Sequence, residues 1–290
     1  MRVGGQIGAA CAFIVVMAGA AASISRAPES TLYAQGQLPG VEPLHDSGQD
    51  VTPAFEGWYK NADGTFDLLF GYQNRNLKEE LDIPIGPNNR IEPGNPDQGQ
   101  PTHFMPRRGW GIFTVTVPKD FGTKKVTWTL IARGRTNSIP ASLDSRWEVD
   151  ALNEVTSGNT PPTISFAMGG PTGQGPRPLT TTISGNMSTP VTLDIWGTDD
   201  FKSRSRTPRG EKLTITWSKY RGPGTVTFAQ VKPKVDEATG RASTTATFSA
   251  PGDYTLRAVA NDYSGDGGGG FQCCWTNGLV KVTVAGGSTR

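Results

Sequence analysis

The chain has 290 residues, with 37 Gly, 22 Pro, 19% charged residues and a formal charge of +2. That balance excludes a nucleic-acid binder that works by counterion release, and it lacks the high net charge of wholly disordered chains. Gly and Pro follow no triplet period, which excludes collagen, and the length accommodates two domains that each bury a core.

Met1-Arg2 opens the chain, followed by an apolar stretch rich in Ala and Gly from Ile7 to Ile24. A basic start, an apolar middle and small residues at the end mark a secretory signal over residues 1–24, with cleavage expected after residue 22 and later cleavage near Ala27 or Ala34 as alternatives. The same stretch is about long enough to span a bilayer, so a retained anchor is the alternative. No other stretch is suited to crossing a membrane. Residues 25–50 are polar with scattered Pro and Gly, and read as a flexible tether.

From residue 51 to 152 the chain reads as short strands. Thr65–Tyr72, Gly111–Val117 and Val126–Ile131 are β-branched or aromatic runs bounded by turn residues such as Asn61-Ala62-Asp63-Gly64. Residues 153–162, ending in Pro161-Pro162, read as a linker. A second strand series follows at Val191–Trp196, Lys212–Trp217, Val226–Val231, Thr244–Phe248, Tyr254–Ala260 and Val280–Val284. The expected fold is all-β: two immunoglobulin-like antiparallel β-sandwiches, residues 51–152 and 163–285.

The stretch Leu213-Thr-Ile-Thr-Trp-Ser-Lys-Tyr-Arg-Gly-Pro-Gly-Thr-Val-Thr-Phe228, together with Ala246-Thr-Phe-Ser-Ala-Pro-Gly-Asp-Tyr-Thr-Leu-Arg-Ala-Val-Ala-Asn-Asp262, resembles the PKD/REJ-like immunoglobulin-like domains of bacterial secreted proteins. The resemblance covers roughly residues 161–285 and implies spacer, adhesion or accessory roles. The family's short Asp-Asp-Gly turn is replaced here by Asp199-Asp200 and an insertion through Gly210. The first domain resembles only uncharacterised secreted proteins. Trp217 suits the large inward anchor of a sandwich, Tyr254 is placed to hydrogen-bond across its corner, and Gly222-Pro223-Gly224 suits a tight turn.

Candidate chemistry is sparse. His103 is the one His inside an expected domain, and no Gly-x-Ser-x-Gly elbow accompanies it. A structural His is the favoured reading, and a hydrolase site near it the alternative. The segment Ile83–Met105, with five Pro, is long enough to be functional but reads first as cover for an open sheet edge. Asp199, Asp200, Asp262 and Asp266 offer the hard oxygen ligands that Ca²⁺ takes, against the ordinary reading of turn and capping residues. Cys273 and Cys274 are expected to bridge each other in an oxidising compartment and stiffen their loop.

Residues 197–211 and 262–278 lie on loops expected at one end of the second sandwich. They carry the acidic residues, Arg204 and Arg206 within a basic run, the Cys pair and Trp275, which would anchor a ligand if exposed. The competing role for this insertion is packing against the first domain. The reading is a secreted, periplasmic or cell-surface protein that is not an enzyme and serves binding, adhesion or spacing. Its expected partner is a protein or glycan, without nucleic acid, and calcium is the candidate cofactor. An anchored accessory subunit of an envelope complex is the further alternative.

Overall fold

A computed structural model describes residues 45–154, 157–202, 212–262 and 273–286. The expected signal over residues 1–24 and most of the tether lie outside the described residues. Among those described, the secondary structure is strand apart from a 3-10 turn at Ser145–Trp147, and no helix is long and apolar enough to cross a membrane.

In the first half the strands are β1 (Val51–Lys60), β2 (Phe66–Asn74), β3 (Leu81–Asp82), β4 (Asn89–Glu92), β5 (His103–Phe104), β6 (Arg107–Val117), β7 (Val126–Ala132) and β8 (Arg135–Ala141). They form antiparallel sheets β1-β2-β6 and β4-β7-β8, with a short β3-β5 pair. The two larger sheets close on an aromatic core. Phe70 stacks on Phe113 with ring centroids 5.2 Å apart, and Trp128 meets Phe113 edge-on at 5.0 Å, geometries that aromatic quadrupoles favour. The Pro-rich segment 83–105 is built into this core through Ile91 and Phe104. Buried Asn89 secures it, donating to the Ile83 and Pro101 carbonyls and accepting from Trp128 Nε1.

The second half contains β9 (Thr163–Ser165), β10 (Thr172–Gln174), β11 (Leu179–Asn186), β12 (Val191–Thr198), β13 (Thr214–Arg221), β14 (Val226–Phe228), β15 (Arg241–Phe248), β16 (Gly252–Asn261) and β17 (Trp275–Ala285). One sheet runs β10-β9-β12-β15-β14 and the other β11-β17-β16-β13. Four strands facing three in this connectivity, with additions at the edges, is the immunoglobulin order. Trp217 on β13 sits in the core at 1% exposure. The Tyr254 hydroxyl donates to the Ala250 carbonyl at 2.8 Å and closes the corner into β16. Gly222 lies against that tyrosine at φ +140°, where a Cβ would come within 2.1 Å of the ring.

Two features depart from the sequence expectation. β11 pairs with β17 in parallel rather than antiparallel, because the chain changes sheets between β10 and β11. β17 begins at Trp275 rather than near Val280, because its first residues are covered by the first half.

That cover explains several unbroken apolar runs. On β2, Leu68, Phe70 and Tyr72 enter the first core, while Leu69 joins Val259 of β16 and Trp275 of β17 in a separate apolar cluster between the halves. Strands buried on both faces lose the alternation of half-exposed ones. Tyr220 of β13 packs into the first core, and one compact unit spans Leu44–Arg290.

Candidate functional site at the loop end of the second sandwich

β12 and β16 belong to facing sheets, and their chains leave the sandwich at the same end through Asp199 and Asp262. Asp262 is 6% exposed and accepts a 2.6 Å hydrogen bond from Asn159 Nδ2. Asp199 Oδ2 accepts from the Phe201 N–H at 2.7 Å. Burial pushes the Asp199 carboxyl up to about 6 against that hydrogen bond, and the charges of Asp262 and Asp200 add to the rise. Asp199 Oδ1 and Asn159 Oδ1 are both buried without a hydrogen-bond partner. Buried acceptors of this kind carry a desolvation cost that a proton donor or a cation relieves. Cys273 and Cys274 are joined through their sulfurs beside this group, with Cys274 Sγ 3.6 Å from the Asn159 carbonyl oxygen.

Of the four expected acidic ligands, Asp199 and Asp262 interact electrostatically. Asp200 is engaged differently, taking the Thr160 hydroxyl at 3.1 Å and pairing with Lys202 at 3.2 Å. Asp266, Arg204 and Arg206 lie outside the described residues. Among the described residues no group of three or more His, Cys, Asp and Glu side chains is placed to hold a metal. The oxygen-bearing partner overlooked in the sequence is Asn159. It lies in the segment read as a linker, and it is held by Asp262 and Cys274, contacts distant in the chain that local sequence does not encode.

Trp275 requires a correction. It is completely buried and presents no aromatic surface to a ligand. Its ring fills a slot opposite Gly111, where an added Cβ would lie 1.9 Å from the indole. Asn277 Nδ2 and the Trp275 indole N–H reach the Gly111 carbonyl at 2.7 and 3.4 Å. Trp275 therefore joins the two halves, the packing role weighed against ligand anchoring.

A polar seam continues this joint. Arg257 donates to Asn277 Oδ1 at 2.7 Å, and Arg177 makes paired 2.8 Å bonds to the fully buried Asp67. Glu56 on β1 reaches across β2 to Arg108 and the Gly111 N–H on β6, and Gly71 leaves the room it needs. Burial pushes the Glu56 carboxyl up to about 7, opposed by Arg108, the Gly111 N–H and Arg257.

His103 lies beside this joint, lining the same cavity as Arg108 and Arg257. Its Nδ1 is 2.9 Å from Asp82, its Nε2 is 3.3 Å from Glu80, and Lys219 Nζ is 3.1 Å from the same Asp82. A general base needs a ring nitrogen directed at substrate. Both nitrogens here face carboxylates, and the ring bridges β3 and β5 toward β13.

No protein-family description and no curated protein matches the chain. Solved structures with related arrangements include the D0–D1 domain of intimin, at 12% identity and a TM-score of 0.22 over 81% of this chain and 98% of that one. The four N-terminal immunoglobulin domains of a Dscam1 isoform match at 11% identity and 0.24, covering 82% of this chain and 54% of that one. The human desmocollin-1 ectodomain matches at 13% and 0.24, covering 81% and 42%.

Proposed function

We propose that this chain is a non-catalytic binding and spacer protein of the bacterial exterior, carrying its ligand at the loop end of the second sandwich. The observation that carries the reading is the convergence of Asp199, Asp262 and Asn159 at that end, with two buried oxygens lacking donors. Ca²⁺ fits them: Asp199 Oδ1, Asn159 Oδ1 and the Asp262 carboxylate are hard oxygen ligands, and water or carbonyls complete its six to eight. Beside the ion, Arg204 and Arg206 contact carboxylates of a glycan or protein partner. Cys273 and Cys274, kept oxidised outside the cytoplasm, hold the adjoining turn. The tether spaces this end from the envelope.

The test is a Ca²⁺ titration of the mature protein, followed by thermal unfolding and a screen against acidic glycans and surface proteins. Ca²⁺ at about 0.1 to 1 mM, the range of extracellular sites, should raise the Tm of wild type and not of Asp199→Asn. Arg204→Ala/Arg206→Ala should lose partner binding while keeping the wild-type Tm. A Tm indifferent to Ca²⁺, with partner binding unchanged in the folded Arg variant, removes this end as the site.

A further inference from the structure

The joint between the halves contains a cavity of about 130 Å³ whose lining includes Tyr72, Arg108, Trp110, Lys219 and Arg257. It adjoins a groove of about 320 Å³ walled by Trp217, Val226, Phe228 and Val231. His103, Met105, Ser218 and Lys219 border both spaces.

Two buried donors lie along this cleft without acceptors. Tyr72 is 4% exposed, and its oxygen accepts the Met105 N–H at 2.9 Å. Its own hydroxyl hydrogen has no acceptor among the described residues. Burial pushes the phenol up to about 12, so that hydrogen is retained at neutral pH. Trp217 is 1% exposed, and its Nε1 has no partner. An unmade bond on a buried donor costs about 1–3 kcal/mol, which an incoming acceptor recovers.

The charges are arranged to suit an anion. Arg257 and the Lys219 side chain are each 9% exposed, and Arg108 lies 4.1 Å over the Trp110 ring. Glu80 and Asp82 stand at the rim with about half their side-chain surface in water, where solvent and salt screen them. Glu56 faces Arg108 and Arg257 from the inner side. Beyond the cationic pocket the wall turns apolar.

We propose that this cleft binds a free α-carboxylate attached to an apolar body that also offers a carbonyl oxygen. An N-acylated apolar amino acid and the C-terminus of an apolar peptide share that chemistry. The carboxylate sits against Tyr72, Arg108 and Lys219, the carbonyl accepts from Trp217 Nε1, and the apolar part lies along Val226, Phe228 and Val231. This site is separate from the loop end and stands whether or not that end binds Ca²⁺.

The experiment titrates the whole mature protein by calorimetry with N-acetyl-leucine, its methyl ester, a short acetylated peptide ending in free leucine, and that peptide's C-terminal amide. Both free acids should bind saturably, and the ester and amide about tenfold more weakly, which corresponds to roughly 1.4 kcal/mol. Tighter binding by the peptide than by N-acetyl-leucine assigns a chain terminus as the source, and the reverse assigns the small acid. Tyr72→Phe and Lys219→Met, each checked for folding by circular dichroism, should weaken the acids about three- to tenfold and leave the ester unaffected. No saturable binding of either acid at about 10 mM, a weaker limit than a millimolar site, would overturn the proposal. So would equal binding of acid and ester, or unchanged binding in both folded variants.

Discussion

Glycine, tryptophan and glutamate at the joint illustrate how single residues fix this molecule. Gly111 has φ +49°, and an added Cβ would lie 1.9 Å from Trp275. Gly111→Ala therefore combines a strained backbone with a clash in a packed slot, and should cost about 3 kcal/mol. Urea unfolding measures it, and a loss below about 1 kcal/mol would show that the tryptophan has room to withdraw. Glu56 makes a prediction about pH. Its folded pKa of about 7 lies above the ordinary 4.5, so between these values the folded state holds the proton and the unfolded state does not. The stabilisation is complete below about 4.5 and is lost as pH rises through about 7, by at most about 3 kcal/mol. Asp199, raised to about 6, contributes a slope of the same sign, so wild type should be compared with Glu56→Gln. Urea midpoints from pH 4.5 to 8 should fall more steeply for wild type than for the variant. Parallel curves would show that Glu56 does not titrate in this window.

Among the elements, those read correctly from sequence are those whose signal is local. Trp217 in Thr-Ile-Thr-Trp-Ser, the Gly222-Pro-Gly turn and Pro251-Gly-Asp-Tyr254 each specify their geometry within a few residues, and they occur as a buried anchor, a turn and a tyrosine corner. Of the four acidic residues expected at one end, the proximity of Asp199 and Asp262 was legible because strand ends of one sandwich face each other. What escaped is set by the second half lying on the first. Trp275 looks equally suited to a ligand or to a joint until Gly111 is opposite it. The signal in reach was the charge inside an apolar run: Asp67 in Phe-Asp-Leu-Leu-Phe and Arg257 in Tyr-Thr-Leu-Arg-Ala-Val-Ala, where a doubly covered strand demands a polar partner. Asp67 meets that demand through Arg177. Burial raises its pKa, but Arg177, Thr116 and Tyr59 outweigh this and hold the carboxyl below its ordinary value. Arg177→Leu leaves that carboxylate buried without its cation and should cost about 3 kcal/mol. Asp67→Asn should cost less, and a double-mutant cycle should return a coupling of about 1 kcal/mol or more. Additive losses would mean that solvent replaces the arginine freely.

At the scale of the whole molecule, the joint decides whether the two halves unfold separately. Interfaces between domains of one chain are commonly small and mobile. Besides the Lys219–Asp82 pair, three separate attachments cross it. Asp67–Arg177 lies at one place, and Trp275, Asn277 and Arg257 gather on Gly111 at a second. At the third, the Tyr220 hydroxyl donates to the Gly99 carbonyl at 2.5 Å, and Arg221 grips Asp97 with two 2.8 Å bonds. Tyr220 also fills part of the first core, so the second sandwich cannot unfold without opening a cavity in the first. Conversely, loss of the first half exposes Val259 and Trp275 and strips Arg257 of the Gly111 carbonyl. Each half thus stabilises the other by more than the solvent-exposed contacts of a hinge would. Scanning calorimetry of the whole protein should show one transition, with van't Hoff and calorimetric enthalpies in agreement. Residues 153–290 expressed alone should melt at a lower temperature and bind a hydrophobic dye, because the face carrying Val259 and Trp275 is uncovered. Two resolved transitions in the intact protein, or an isolated half as stable as the whole, would show that the halves are independent bodies in contact.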